Sequence, residues 1–132
     1  MGVKMFEHII ESRRAKEILA RYMLSFIKSD YTPWNQEFNC RNLPWCFFKV
    51  NIKTLDIDDI GKINIPFNDV VYCHDERQKV LYQTTFKRIY EFVLSLEPWE
   101  EVDLEIFNNS MQWTLAITHE GELITYGVEF LS

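Results

Sequence analysis

The stretch from residue 97 to 130, EPWEEVDLEIFNNSMQWTLAITHEGELITYGVEF, decides the fold. Val102, Leu104 and Ile106 alternate with Asp103, Glu105 and Phe107, and Met111, Trp113, Leu115 and Ile117 alternate with Gln112, Thr114, Ala116 and Thr118. A period of two is the mark of a half-buried strand. The polar turns NNS and HEGE separate these runs from each other and from Leu123 to Phe130, which predicts a three-stranded antiparallel meander with one strongly apolar face.

Upstream, apolar residues from Phe6 to Ile27 recur every three or four positions, which predicts a helical stripe over 5–28 that slips phase at ESRRA, with Ser12 as a candidate cap. Asp75 is a candidate N-cap for a second helix over 75–96, where Tyr82, Phe86, Ile89, Val93 and Leu96 repeat at helical spacing until Pro98 stops it. CFFKVNIK, residues 46–53, alternates as a strand with Phe48, Val50 and Ile52 inward and Lys49, Asn51 and Lys53 outward. The aromatic segment between them, with Tyr31, Trp34, Phe38 and Trp45, reads as a long loop, and Gly61 and Pro66 break the segment after the strand into short extended pieces. The expected fold is α+β: a mainly antiparallel sheet with two long helices packed on one face, in a single domain over residues 1–132.

Composition sets the class. Of 132 residues, 47% are hydrophobic and 15% aromatic, which places the chain among globular proteins and away from disordered ones. No apolar run reaches the length of a membrane span, the N-terminus has no apolar signal region, and Phe6 stands where a myristoylation signal has Ser or Thr. The expectation is a cytoplasmic protein with no membrane partner. Cys40, Cys46 and Cys73 are odd in number and lack the C-x-x-C spacing, which predicts reduced, buried thiols. The net charge of −6 is unevenly spread, at +4 over residues 1–54 and −10 over residues 55–132. Such a chain does not suit nucleic acid, and its acidic half suits a cationic partner.

No catalytic or cofactor motif is present, and no cofactor is expected. Cys73, His74, Asp75 and Glu76 cluster ligand types, but the other cysteines and histidines stand at spacings unsuited to zinc. THEGE, residues 118–122, joins His119 to two carboxylates, as a general acid/base pair or an ordinary solvated turn would. LDIDDIG lacks the pattern of a calcium loop. More informative are Glu97, Glu100, Glu101, Asp103 and Glu105, which the alternation gathers on one polar face around Trp99. Like charges so close repel, and their expected role is to bind a basic partner with Trp99 as aromatic anchor.

The segment EPWEEVDLEIFNNSMQWTLAITHEGEL resembles small bacterial proteins of the immunity or antitoxin type, associated with polymorphic toxins and contact-dependent growth inhibition. The resemblance implies a non-enzymatic protein that neutralises a cognate basic toxin, such as a nuclease, by binding it. Two other readings stand beside it: a small enzyme or ligand-binding domain with a pocket near His119 and Cys73 lidded by the Trp34 to Trp45 loop, or a homo-oligomer joined through that aromatic loop.

Overall fold

The computed structural model describes residues 5–50 and 52–131. In chain order the regular elements are β1 (His8–Ile9), α1 (Ser12–Phe26), β2 (Trp34–Asn35), β3 (Cys40–Arg41), β4 (Lys53–Asp56), β5 (Val70–Asp75), β6 (Val80–Thr85), α2 (Phe86–Ser95), β7 (Leu104–Phe107), β8 (Thr114–Ile117) and β9 (Glu122–Tyr126), with 3₁₀ turns at Pro44–Phe47 and Ile57–Lys62. Seven strands form one antiparallel sheet in the order β1-β6-β5-β7-β8-β9-β4, and β2 pairs with β3 in a separate hairpin. The fold is α+β, and β7, β8 and β9 are the expected meander.

The two helices lie on opposite faces of the sheet, not on one. The side chains of α2, Phe86, Ile89 and Val93, pack with Val71, Cys73, Leu104, Ile106, Leu115 and Ile117. Those of α1, Ile18, Tyr22 and Phe26, pack with Tyr72, Phe107, Ala116 and Ile124. Successive strand residues point to opposite faces, so every residue of β7 and of β8 is buried. Two apolar helical stripes need two apolar surfaces, and strands buried on both sides provide them.

Three element boundaries differ from the sequence reading. The first apolar residues of the predicted stripe belong to β1 and its flanks, where Phe6 and Ile10 enter the two different cores. Glu11, not Ser12, caps α1, its carboxylate accepting from the amides of Arg14 and Arg13 at 2.6 and 3.3 Å. Asp75 starts no helix. Its Oδ1 accepts from the amides of Arg77 and Gln78 at 2.9 and 3.2 Å, the same contact an N-cap makes, but in the turn between β5 and β6. The turn closes with Lys79 in the left-handed region at φ 59. The cap of α2 is Thr85, whose Oγ1 accepts from the Arg88 amide.

CFFKVNIK forms no continuous strand. Its first two residues close the 3₁₀ turn, Phe48 bridges to Ile27, and the ladder to β9 begins at Lys53. Val50 is 52% exposed and Ile52 38%, so of the three residues expected inward only Phe48 is buried. Asn51, expected on the outer side, lies outside the described residues.

Candidate functional site

The meander and the exit of α2 build an acidic cleft. The backbone of α2 ends at Ser95 because Glu97 precedes Pro98, and a residue before proline is pushed out of the helical region. The turn is then tied reciprocally: the Glu97 amide donates to Glu100 Oε1 at 2.9 Å, and the Glu100 amide donates to the Glu97 carbonyl at 2.9 Å. Facing it is the β8–β9 turn, in which the Thr118 hydroxyl accepts from the amides of Glu120 and Glu122. Between the two turns lies a cleft of about 360 Å³ with an apolar floor of Ile57, Val93, Leu96 and Val102 and with Asp58, Glu97, Glu100, Glu120 and His119 among its lining. Asp58, Glu97 and Glu100 make no ion pair among the described residues. The carboxyl end of α2 adds the negative pole of its dipole to this wall.

The five carboxylates read as one face are therefore sorted into four environments. Glu97 and Glu100 are exposed and line the cleft. Glu101 is exposed and reaches Arg77 at 3.4 Å. Asp103 is buried and acts as a clamp: Oδ1 takes hydrogen bonds from the His119 amide at 3.0 Å and from His119 Nδ1 at 2.8 Å, and Oδ2 takes one from Arg77 Nε at 2.9 Å. This contact raises the pKa of His119 above its ordinary value. Glu105 is only 1% exposed. Asp103 and Glu105 are thus unavailable to a partner: Arg77 and His119 hold the first, and the second lies on the sheet face that α1 covers. Trp99 is 76% exposed next to Glu97 and Glu100 in the chain and stands outside both cores.

Glu105 belongs to a second constellation that the sequence reading missed. It is paired with His74 across the β5–β7 ladder, and Nδ1 of His74 lies 3.0 Å from its Oε1 and 3.5 Å from Oε1 of Glu76. Outside, Lys79 and Arg41 approach Glu76 Oε2 at 3.1 and 3.5 Å. Burial alone would lower the pKa of His74, but hydrogen bonds to the two carboxylates outweigh it and raise it to about 9. Burial pushes the Glu105 carboxyl up, whereas Glu76, although also desolvated, is held below the usual carboxylate range by His74 and its other hydrogen-bond partners. Above this cluster Thr114 Oγ1 donates to the Ile106 carbonyl at 2.9 Å, so the Tyr22 hydroxyl must be the donor in its 2.9 Å bond to Thr114.

The other candidates separate. Cys73 points into the α2-side core with its thiol pKa raised by burial, opposite in strand phase to His74. It does not share a site with His119, which is half-exposed on the cleft rim. Cys40 and Cys46 are exposed, against the expectation of buried thiols. The segment from Trp34 to Trp45 holds the β2–β3 hairpin, tied by Tyr31 and Asn42, and it buries Trp45 while leaving Trp34 outside. No helix is long and apolar enough to cross a membrane among the described residues. Protein-family models, curated proteins and solved structures were all compared with the chain, and none matches it.

Proposed function

We propose that this chain is a non-enzymatic inhibitor of the immunity-protein kind, working in the cytoplasm, which binds a basic toxin protein at the acidic cleft between the α2 exit and the β8–β9 turn. The observation that carries the reading is the cleft's wall of carboxylates: Asp58, Glu97 and Glu100 make no ion pair among the described residues and stand over an apolar floor. Beyond the Glu100 contact that ties the turn, folding does not call for such an arrangement, since like charges around a hollow repel and gain nothing from one another. A lysine or arginine side chain of a partner fits it well, its methylene stem against Ile57, Val93, Leu96 and Val102 and its charged head among the rim carboxylates. Trp99 beside the rim supplies a large aromatic surface of the type enriched at protein interfaces.

Binding is favoured over catalysis because the groups with chemical potential are shut away. Cys73, His74 and Glu105 are all buried, and the cleft itself offers one histidine held by a structural contact to Asp103.

The test is co-expression of this chain with the polypeptide encoded immediately upstream of its gene. Wild type should restore growth, and Trp99→Ala combined with Glu97→Gln and Glu100→Gln should not, although the triple variant folds. Equal rescue by the variant would remove the cleft from the account, and no rescue by wild type would remove the toxin.

A further inference from the structure

The buried cluster behind β7 has a chemistry that partner binding at the cleft does not use. His74, Glu76 and Glu105 each present one ligand atom, all within 4.8 Å of one another, and all three residues are buried. The individual separations are 3.0 Å from His74 Nδ1 to Glu105 Oε1 and 3.5 Å to Glu76 Oε1. Ligand atoms bound at about 2.0–2.2 Å in a tetrahedron stand about 3.3–3.6 Å apart. The His74–Glu76 separation falls in that range, the His74–Glu105 separation is shorter because the two groups are hydrogen-bonded, and the carboxylates lie within 4.8 Å of each other.

A second observation points the same way. Glu105 Oε2 is buried and has no hydrogen-bond partner among the described residues. A desolvated carboxylate oxygen left unpaired is costly, and two carboxylates around one imidazole concentrate negative charge in a place water does not reach. Arg41 and Lys79 touch only the outer oxygen of Glu76, which fixes that carboxylate from behind and leaves its inner oxygen directed at His74. The imidazole Nδ1 is the group set between the two carboxylates, and an ion bound there would replace its proton as the positive centre.

We propose that His74, Glu76 and Glu105 form a binding site for one divalent transition-metal ion. One nitrogen and two carboxylates suit Zn²⁺ or Mn²⁺, whereas Ca²⁺ and Mg²⁺ ask for six or more oxygens. His74 binds through Nδ1, so any proton on that nitrogen passes to solvent as the metal–nitrogen bond forms. The ion ties β5 to β7 at the centre of the sheet, and its role is structural.

The full chain, stripped with a chelator, is titrated with ZnCl₂ by calorimetry and by thermal melting. One equivalent should bind, and the melting temperature should rise. His74→Gln and Glu105→Gln should each weaken binding at least about tenfold. Cys40→Ser with Cys46→Ser, which removes the exposed thiols that take up zinc adventitiously, should leave it unchanged. Absence of saturable binding, or equal binding by the two ligand variants, would overturn the proposal. Should those variants fail to fold, Co²⁺ added to wild type decides: visible ligand-field bands without a thiolate charge-transfer band support the site, and a thiolate band or no band contradicts it.

Discussion

His74 and Glu105 are direct partners across the β5–β7 ladder, with Nδ1 and Oε1 3.0 Å apart in the interior of the sheet. Removing one member of a buried charged pair leaves the other without compensation, at a cost of about 3–5 kcal/mol. His74→Ala should therefore destabilise the fold by about that amount in urea unfolding. Glu105→Gln keeps an acceptor oxygen for His74 and removes one of two crowded negative charges, so its loss should be under half as large. Equal losses would show that the pair is held by packing and not by charge.

Stability in the presence of a chelator should fall as the solution turns alkaline. The His74 pKa is raised from 6.5 to about 9 by Glu105 and Glu76, so its contribution is complete below about pH 6.5 and is lost as pH rises through about 9. Glu105, raised by burial, acts in the same direction above its ordinary range. Glu76 is depressed, and its contribution is lost only as pH falls below the usual carboxylate range. Lys79 and Arg41 also face the cluster, 3.1 and 3.5 Å from Glu76. Melting curves from pH 6.5 to 9 should decline by up to about 1.4 kcal/mol per pH unit for each proton lost, and His74→Gln should flatten the decline. A profile that climbs over this range would contradict the assignment.

Trp113 is 9% exposed in the α2-side core, and Trp113→Ala should cost about 3–5 kcal/mol. Val50→Ala, at a half-exposed position outside both cores, should stay within about 0.5 kcal/mol. Chemical denaturation of the two variants side by side separates the meander from the misread strand.

Gly127 has φ +75, and a Cβ there would lie 2.6 Å from the Gln112 carbonyl oxygen. Both the left-handed backbone and the close approach to the entry of β8 exclude a side chain. Gly127→Ala should lower stability by more than about 1 kcal/mol, whereas Gly121→Ala, with φ +78 and open space around it, should cost about 1 kcal/mol or less. A denaturant midpoint for Gly127→Ala at or above that of Gly121→Ala would refute the contact.

The strand phases of the meander and the amphipathic helix α1 were legible because each leaves a period in the residues themselves. Leu104, Ile106, Trp113, Leu115 and Ile117 share a face as their spacing requires. The β5–β6 hairpin was not legible, because Asp75 makes the contacts of an N-cap and because Tyr82 and Phe86 enter the same core from a strand and a helix at a helix-like spacing. Nor was the burial of Glu105. Alternation tells which residues share a face and is silent on what covers it, and here a distant helix does. One signal was present: Phe107, two residues after Glu105 on the same face, is apolar and fully buried, as is Ala116, the residue paired with Glu105 on β8. The acidic cleft was half legible. Glu97, Glu100 and Trp99 are local in sequence, whereas Asp58 and Glu120 reach the site only through the fold.

The most direct test of the cleft as a docking site for a basic protein is the association rate of the upstream-encoded polypeptide with wild type and with an Asp58→Asn, Glu97→Gln, Glu120→Gln variant, each measured at two ionic strengths. Charges at solvent-accessible walls steer encounter at low salt and are screened beyond about 8 Å at 0.15 M. The account predicts that wild type associates at least about tenfold faster than the variant at low salt, and that the gap closes as salt rises. Equal rates at both ionic strengths, with wild type and variant alike folded, would contradict it.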